Sequence, residues 1–168
     1  PKLIWHFDEL GDGHTSAAVT GSGVFTTGML DGKGFVFGFD LQGKLLWKKE
    51  YGTEWAESDN GVRSTPNIVN DKLYLMSSYG KLICMNCSNG QTVWTVDLVK
   101  EYRARNIEWG MTENLLSDGN VLYCAPGGAN ASVVALDRNT GKMIWKSKGN
   151  GEKSAYCSPM LVKLQNKG

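Results

Sequence analysis

One short motif returns along this chain and constrains most of what it can fold into. Gly43-Lys44-Leu45-Leu46-Trp47, Gly90-Gln91-Thr92-Val93-Trp94 and Gly141-Lys142-Met143-Ile144-Trp145 share one pattern. Pro1-Lys2-Leu3-Ile4-Trp5 reads as a further copy with its first residue altered. The tryptophans stand at 5, 47, 94 and 145, separated by 42, 47 and 51 residues. A period of about 40 to 50 residues is the length of a four-stranded propeller blade.

The segments between the motifs fill in the blade. Asp40, Asn86 and Asp137 stand ahead of the motif glycines, where a short polar side chain bonds the backbone two residues on and glycine supplies positive φ. Before these turns lie the β-rich runs Phe35–Phe39, Leu82–Met85 and Val133–Leu136. Earlier still come Val24–Thr27, Leu73–Met76 and Val121–Cys124, each entered through a turn signal: Gly21-Ser22-Gly23, Asn70-Asp71 or Asp118-Gly119. A fourth short strand opens each unit at Thr15–Val19, Ser64–Val69, Thr112–Leu116 and Cys157–Val162. No stretch carries a helical period of useful length. The expected fold is therefore all-β, with antiparallel four-stranded blades at 13–50, 62–98 and 109–148 and partial blades at 1–12 and 155–168. One large ring per repeat suits the wedge between neighbouring blades, so the tryptophans read as packing residues.

Strand counting adds an expectation about completeness. Trp5 belongs to a last strand with no partners before it, and Cys157–Val162 to a first strand with none after it. The chain thus reads as an arc of a seven- or eight-bladed propeller, with uncapped faces suited to self-association or to covering by another molecule.

Eighteen basic and seventeen acidic residues give a net charge of +1 over 168 residues, which leaves no electrostatic footprint for nucleic acid. No apolar run approaches the roughly 20 residues of a membrane span, and the first residues do not read as a signal peptide. Cys84-Met85-Asn86-Cys87 lacks a second pair or a histidine pair to complete a metal site, so Cys84, Cys87, Cys124 and Cys157 read as small buried hydrophobes. Gly21-Ser22-Gly23 and Gly32-Lys33-Gly34 sit in hairpin turns without a following helix and do not form a phosphate loop. His6 and His14 have no metal-ligand partner at useful spacing.

Ala135-Leu136-Asp137-Arg138-Asn139-Thr140-Gly141-Lys142-Met143-Ile144-Trp145 resembles the "ALDxxTGKxxW" signature of pyrroloquinoline-quinone-type propeller repeats, with weaker copies at Asn86–Trp94 and Asp40–Trp47. The signature marks the repeat, not the cofactor. Proteins with this repeat include quinone-dependent alcohol dehydrogenases, whose eight blades hold a calcium-bound quinone. An eight-bladed outer-membrane assembly lipoprotein without cofactor also carries it. The segment from Trp109 through Gly128 is similar to extracytoplasmic propellers of Bacteroidetes-type bacteria. The resemblance implies a periplasmic or extracellular location.

Binding residues concentrate on loops held by a rigid scaffold, and the connections between blades hold unusual chemistry. Arg63, Arg105, Glu108, Trp109 and Tyr156 come from these loops, and Glu113 lies on a channel-lining strand, where a carboxylate must be hydrated, paired or liganded. These six are the candidate ligand-binding residues, for a protein partner or a polar small ligand. No catalytic or metal residue is assigned. The sequence favours a non-catalytic interaction or scaffolding segment that needs no cofactor. The alternative, part of a quinone-dependent dehydrogenase using pyrroloquinoline quinone with calcium, would draw oxygens from Glu113 and Asn114. It lacks the adjacent cysteine pair and the catalytic aspartate motif that the resemblance would imply.

Overall fold

The computed structural model describes residues 1–162 and contains three antiparallel sheets of four strands, each in simple sequential order. Blade 1 consists of β1 (Ala18–Thr20), β2 (Gly23–Leu30), β3 (Lys33–Phe39) and β4 (Leu45–Thr53). Blade 2 consists of β5 (Asn67–Val69), β6 (Lys72–Met76), β7 (Lys81–Asn86) and β8 (Thr92–Asp97). Blade 3 consists of β9 (Leu116–Asp118), β10 (Val121–Cys124), β11 (Val134–Asp137) and β12 (Met143–Lys146). The expected all-β propeller architecture is what the chain adopts.

Period-two geometry explains how blade 2 serves two neighbours at once. Successive side chains of a strand point to opposite faces. Leu73 and Leu75 of β6 therefore join Phe25, Met29, Val36 and Trp47 of blade 1 in one core. Tyr74 and Met76 point the other way and join Leu122, Cys124, Val134 and Leu136 of blade 3 in a second core. A strand covered on both faces must be apolar at every position, which is why the middle strands read as continuous hydrophobic runs. The outer face of blade 1 is covered by the N-terminal segment, where Trp5, Phe7 and Leu10 pack on Val24, Phe37 and Phe39.

The motif tryptophans close the seams. Trp47 donates its indole N–H to Cys87 O at 2.9 Å, and Trp94 donates to Arg138 O at 3.0 Å, so each bonds the turn of the following blade. The ring then lies on that turn's glycine. A Cβ at Gly90 would sit 2.5 Å from Trp47, and one at Gly141 would sit 2.8 Å from Trp94. Both glycines also have positive φ, of 66° and 71°. The motif glycine is thus required twice, for the turn and for the neighbour's ring. Trp5 repeats the arrangement on the Gly43 turn, donating to Leu41 O at 3.3 Å and stacking on Phe39 at 5.8 Å.

Several local expectations need correction. The opening strands are shorter than expected and begin later, at Ala18, Asn67 and Leu116. Their first halves leave the sheet ladder and bond also to the next blade: Ser16 N donates to Thr65 Oγ1, Thr65 N to Asn114 Oδ1, and Asn114 N to Ser158 Oγ. Pro66 also withholds a backbone donor. Cys157–Val162 forms no strand, although Ser158 occupies the same place in this inner ladder; Pro1–Trp5 forms none either, and Trp5 docks without one. Cys84, Cys87 and Cys124 are buried as expected, whereas Cys157 is exposed, and all four are free. One turn of helix, α1 (Leu98–Tyr102), went unforeseen; Asp97 caps it by accepting from Lys100 N, and Arg103 ends it at φ 51°.

Candidate functional site

Two carboxylates are buried in this fold, and the sequence singled out one of them. Glu54 follows β4 directly and is fully buried. Its Oε2 accepts the Tyr51 hydroxyl at 2.7 Å, and its Oε1 accepts Trp55 N at 2.9 Å and Ser78 N at 3.0 Å. The carboxylate therefore ties the end of blade 1 to blade 2. Burial, then the charge of Glu54 and its hydrogen bond, push the Tyr51 hydroxyl well above the ordinary tyrosine range. No signal in the sequence separates Glu54 from the exposed loop acids around it; its partners lie one, three and 24 residues away.

Glu113 is almost as deeply buried, at 1% exposure. Both of its oxygens meet a single donor, Ala125 N, at 3.0 and 2.9 Å. Burial pushes its carboxyl from 4.5 up to about 7, against the opposing pull of that N–H. Glu113 lies in the segment just before β9 and not on the strand expected for it, with its carboxyl turned into its own blade, toward the end of β10. The neighbouring Cys124 thiol is raised well above its usual range by burial first and by Glu113 second.

The other five candidate residues fall into two groups at the loop face. Arg63 lies over the Trp55 ring at 5.9 Å and donates through Nη2 to Asp59 O at 2.6 Å and Ser58 O at 3.2 Å. His14 Nε2 meets the same Asp59 carbonyl at 3.2 Å. The second group centres on an aromatic pair: Trp109 stacks on Tyr156 at 5.6 Å and 30°, and Trp109 N donates to the Tyr156 hydroxyl at 3.2 Å. Both rings are about half exposed, at 49% each. Arg105 reaches Gly151 O at 3.4 Å beside them, and Glu108 is exposed on the same loop. The six residues thus do not converge on one pocket. They form an arginine group, an exposed aromatic group and a buried acid.

This arrangement tests the quinone and calcium reading directly. The two residues it would draw on are both engaged: Glu113 with Ala125 N, and Asn114 Oδ1 with Thr65 N at 2.7 Å. Among the described residues no three of His, Cys, Asp and Glu cluster as a metal site would require. Both side chains thus spend oxygens on donors of the protein itself. No helix among the described residues is long and apolar enough to cross a membrane.

Comparison with known proteins places these observations in a family. The family of the outer membrane protein assembly factor BamB matches residues 32–165. A BamB of Kangiella koreensis is 33% identical over 140 residues, covering 80% of this chain and 32% of that protein. The quinoprotein alcohol dehydrogenase PedH of Pseudomonas putida is 27% identical over 120 residues, covering 70% of this chain and 19% of that protein. The crystal structure of BamB from Moraxella catarrhalis superposes with a TM-score of 0.59 at 22% identity, over 86% of this chain and 42% of that one. The chain therefore spans about a third of its assembly-factor relative and about a fifth of its dehydrogenase relative.

Proposed function

Because this chain belongs to the BamB-like family of pyrroloquinoline-quinone-type propellers, we propose that it is a non-catalytic protein-interaction segment, working as a scaffold from a periplasmic or extracellular location. One observation carries the reading. The polar groups of the channel wall are bound to the protein itself, while the groups left for a partner lie outside, at the half-exposed Trp109–Tyr156 pair with Arg105 and Glu108 alongside. Aromatic and arginine side chains at a rigid rim are the residue types that anchor protein contacts. A contact of this kind needs no cofactor. Self-association through the exposed blade 3 face belongs to the same proposal, as do the blade boundaries at the chain's two ends and a Bacteroidetes-type source.

Two experiments on the full-length protein decide between this reading and the dehydrogenase. A photo-crosslinking residue placed at Trp109 is expected to give an adduct with an outer-membrane protein, and one at exposed Lys49 on the outer strand is expected to give none. Reconstitution with pyrroloquinoline quinone and calcium is expected to give no dye-linked alcohol oxidation. Robust turnover would overturn the proposal.

A further inference from the structure

Glu113 stands in a row of small residues. Thr15 and Ser64 hold the equivalent place in blades 1 and 2, and Cys157 holds it in the segment after blade 3. A polar belt runs through this row. Thr27 Oγ1 bonds Thr15 Oγ1 at 3.1 Å and reaches Ser64 O at 3.4 Å; Ser64 Oγ donates to Glu113 O at 2.9 Å. The Glu113 carboxylate then takes Ala125 N, and Ala125 O accepts Ser154 Oγ at 3.3 Å. Glu113 is the belt's ionisable member.

Ala125 begins a strap, Ala125-Pro126-Gly127-Gly128, that leads outward. Gly128 donates to Glu152 O at 2.6 Å and accepts from Gly151 N at 3.2 Å, so the strap carries the 151–154 segment, which continues to Tyr156 and its stack on Trp109. The buried acid and the exposed aromatic pair are therefore linked through two backbone segments, 125–128 and 151–156, joined by hydrogen bonds.

We infer that Glu113 is a proton-operated latch on this strap: with its carboxyl neutral the strap stays closed, and ionisation loosens it and frees the Tyr156–Trp109 pair. An ionised carboxylate in a dry wall needs several donors, and a single N–H shared by both oxygens is too few. Hydration is the remaining remedy, and the strap begins at the one backbone N–H that the carboxylate holds. The groups facing the carboxyl are Cys124 from β10, whose thiol stays neutral, and Ala125 with Ser154 beyond it; Ser64 from blade 2 holds the Glu113 backbone carbonyl. Burial and Ala125 N account for its shift, and no cation contributes. The sign follows. The folded chain holds this proton more tightly than the unfolded chain, so the contribution to stability is complete below about 4.5 and is lost as pH rises through about 7.

The latch goes beyond the scaffold reading and does not depend on it, because its readout is the strap and not a partner. Amide hydrogen exchange of Ala125, Gly127, Gly128 and Ser154, corrected for the intrinsic pH dependence of exchange, is measured between about pH 5.5 and 8.5. Protection is expected to fall at least about tenfold across that range in the wild type, and to stay high and flat in Glu113→Gln. A flat wild-type profile, or the same slope in the variant, would overturn the latch. Should Glu113→Gln fail to fold, the carbon-13 shift of the Glu113 carboxyl in the wild type decides. A midpoint near 7 that coincides with loss of strap protection supports the latch, and a midpoint in the ordinary glutamate range removes it.

Discussion

The seam between blades 1 and 2 and the open face of blade 3 are built from the same repeat position and end in opposite states. Trp47 is 9% exposed, its ring on Gly90 and its N–H on Cys87 O. Trp145, at the identical motif position, is 46% exposed, with Met143 and Ile144 beside it at 50% and 51%. The residue type is constant and only the neighbour differs. A motif tryptophan therefore stabilises a boundary between blades, and has little to stabilise where the described residues provide no boundary.

Substitutions can break that comparison, and Trp47→Ala is expected to have the largest effect. Losing a buried ring and its hydrogen bond is expected to lower unfolding free energy by about 3–5 kcal/mol in chemical denaturation. Glu54→Gln comes next, because the seam it ties would keep only part of its acceptor capacity for the Tyr51, Trp55 and Ser78 donors. A loss of about 2–3 kcal/mol is expected in the same assay. A pair of glycines then separates backbone strain from ring contact. Gly119 has φ 55° and open space around its Cβ direction, so Gly119→Ala is expected to cost about 1 kcal/mol from backbone conformation alone. Gly90→Ala meets the Trp47 ring as well and is expected to cost about 2–3 kcal/mol. Equal losses at the two glycines would mean that the ring contact carries no weight. Trp145→Ala is expected to be the mildest, at under about 1 kcal/mol. A loss matching that of Trp47→Ala would show that exposure does not measure what these rings contribute.

What the sequence revealed and what it hid divide along the same physical line. The blades were legible because they rest on local pattern: a motif glycine, an Asx turn and two apolar runs lie within one repeat. Trp47 and Trp94 were legible as wedge fillers because the period alone implies a neighbour. The inner ladder was not, since Ser16, Thr65, Asn114 and Ser158 bond to one another across 44 or 49 positions, beyond the reach of any local pattern. Of the two buried acids, Glu113 was singled out because the repeat put it in an expected opening strand, although it lies in the segment just before β9, while Glu54 falls in a connection, where no period exists. The six candidate site residues were chosen for their charge, aromaticity and place between or at the start of blades. Their separation into three groups depends on loop geometry, which the spacing of residues does not encode.

The docking of each tryptophan on the turn of the following blade also sets where one unit ends and another begins. The sequence repeat closes at its tryptophan, but the complementary turn for that tryptophan belongs to the next repeat. Knob and socket therefore run in a single direction along the chain. A duplication or deletion that adds or removes one whole period returns every knob to a socket of the same kind, whatever the point of the change. A cut of any other length leaves a tryptophan facing a turn out of phase. In this sense the propeller is read in frame, and its blade count is a quantity that can change by whole units while the joints between them stay the same.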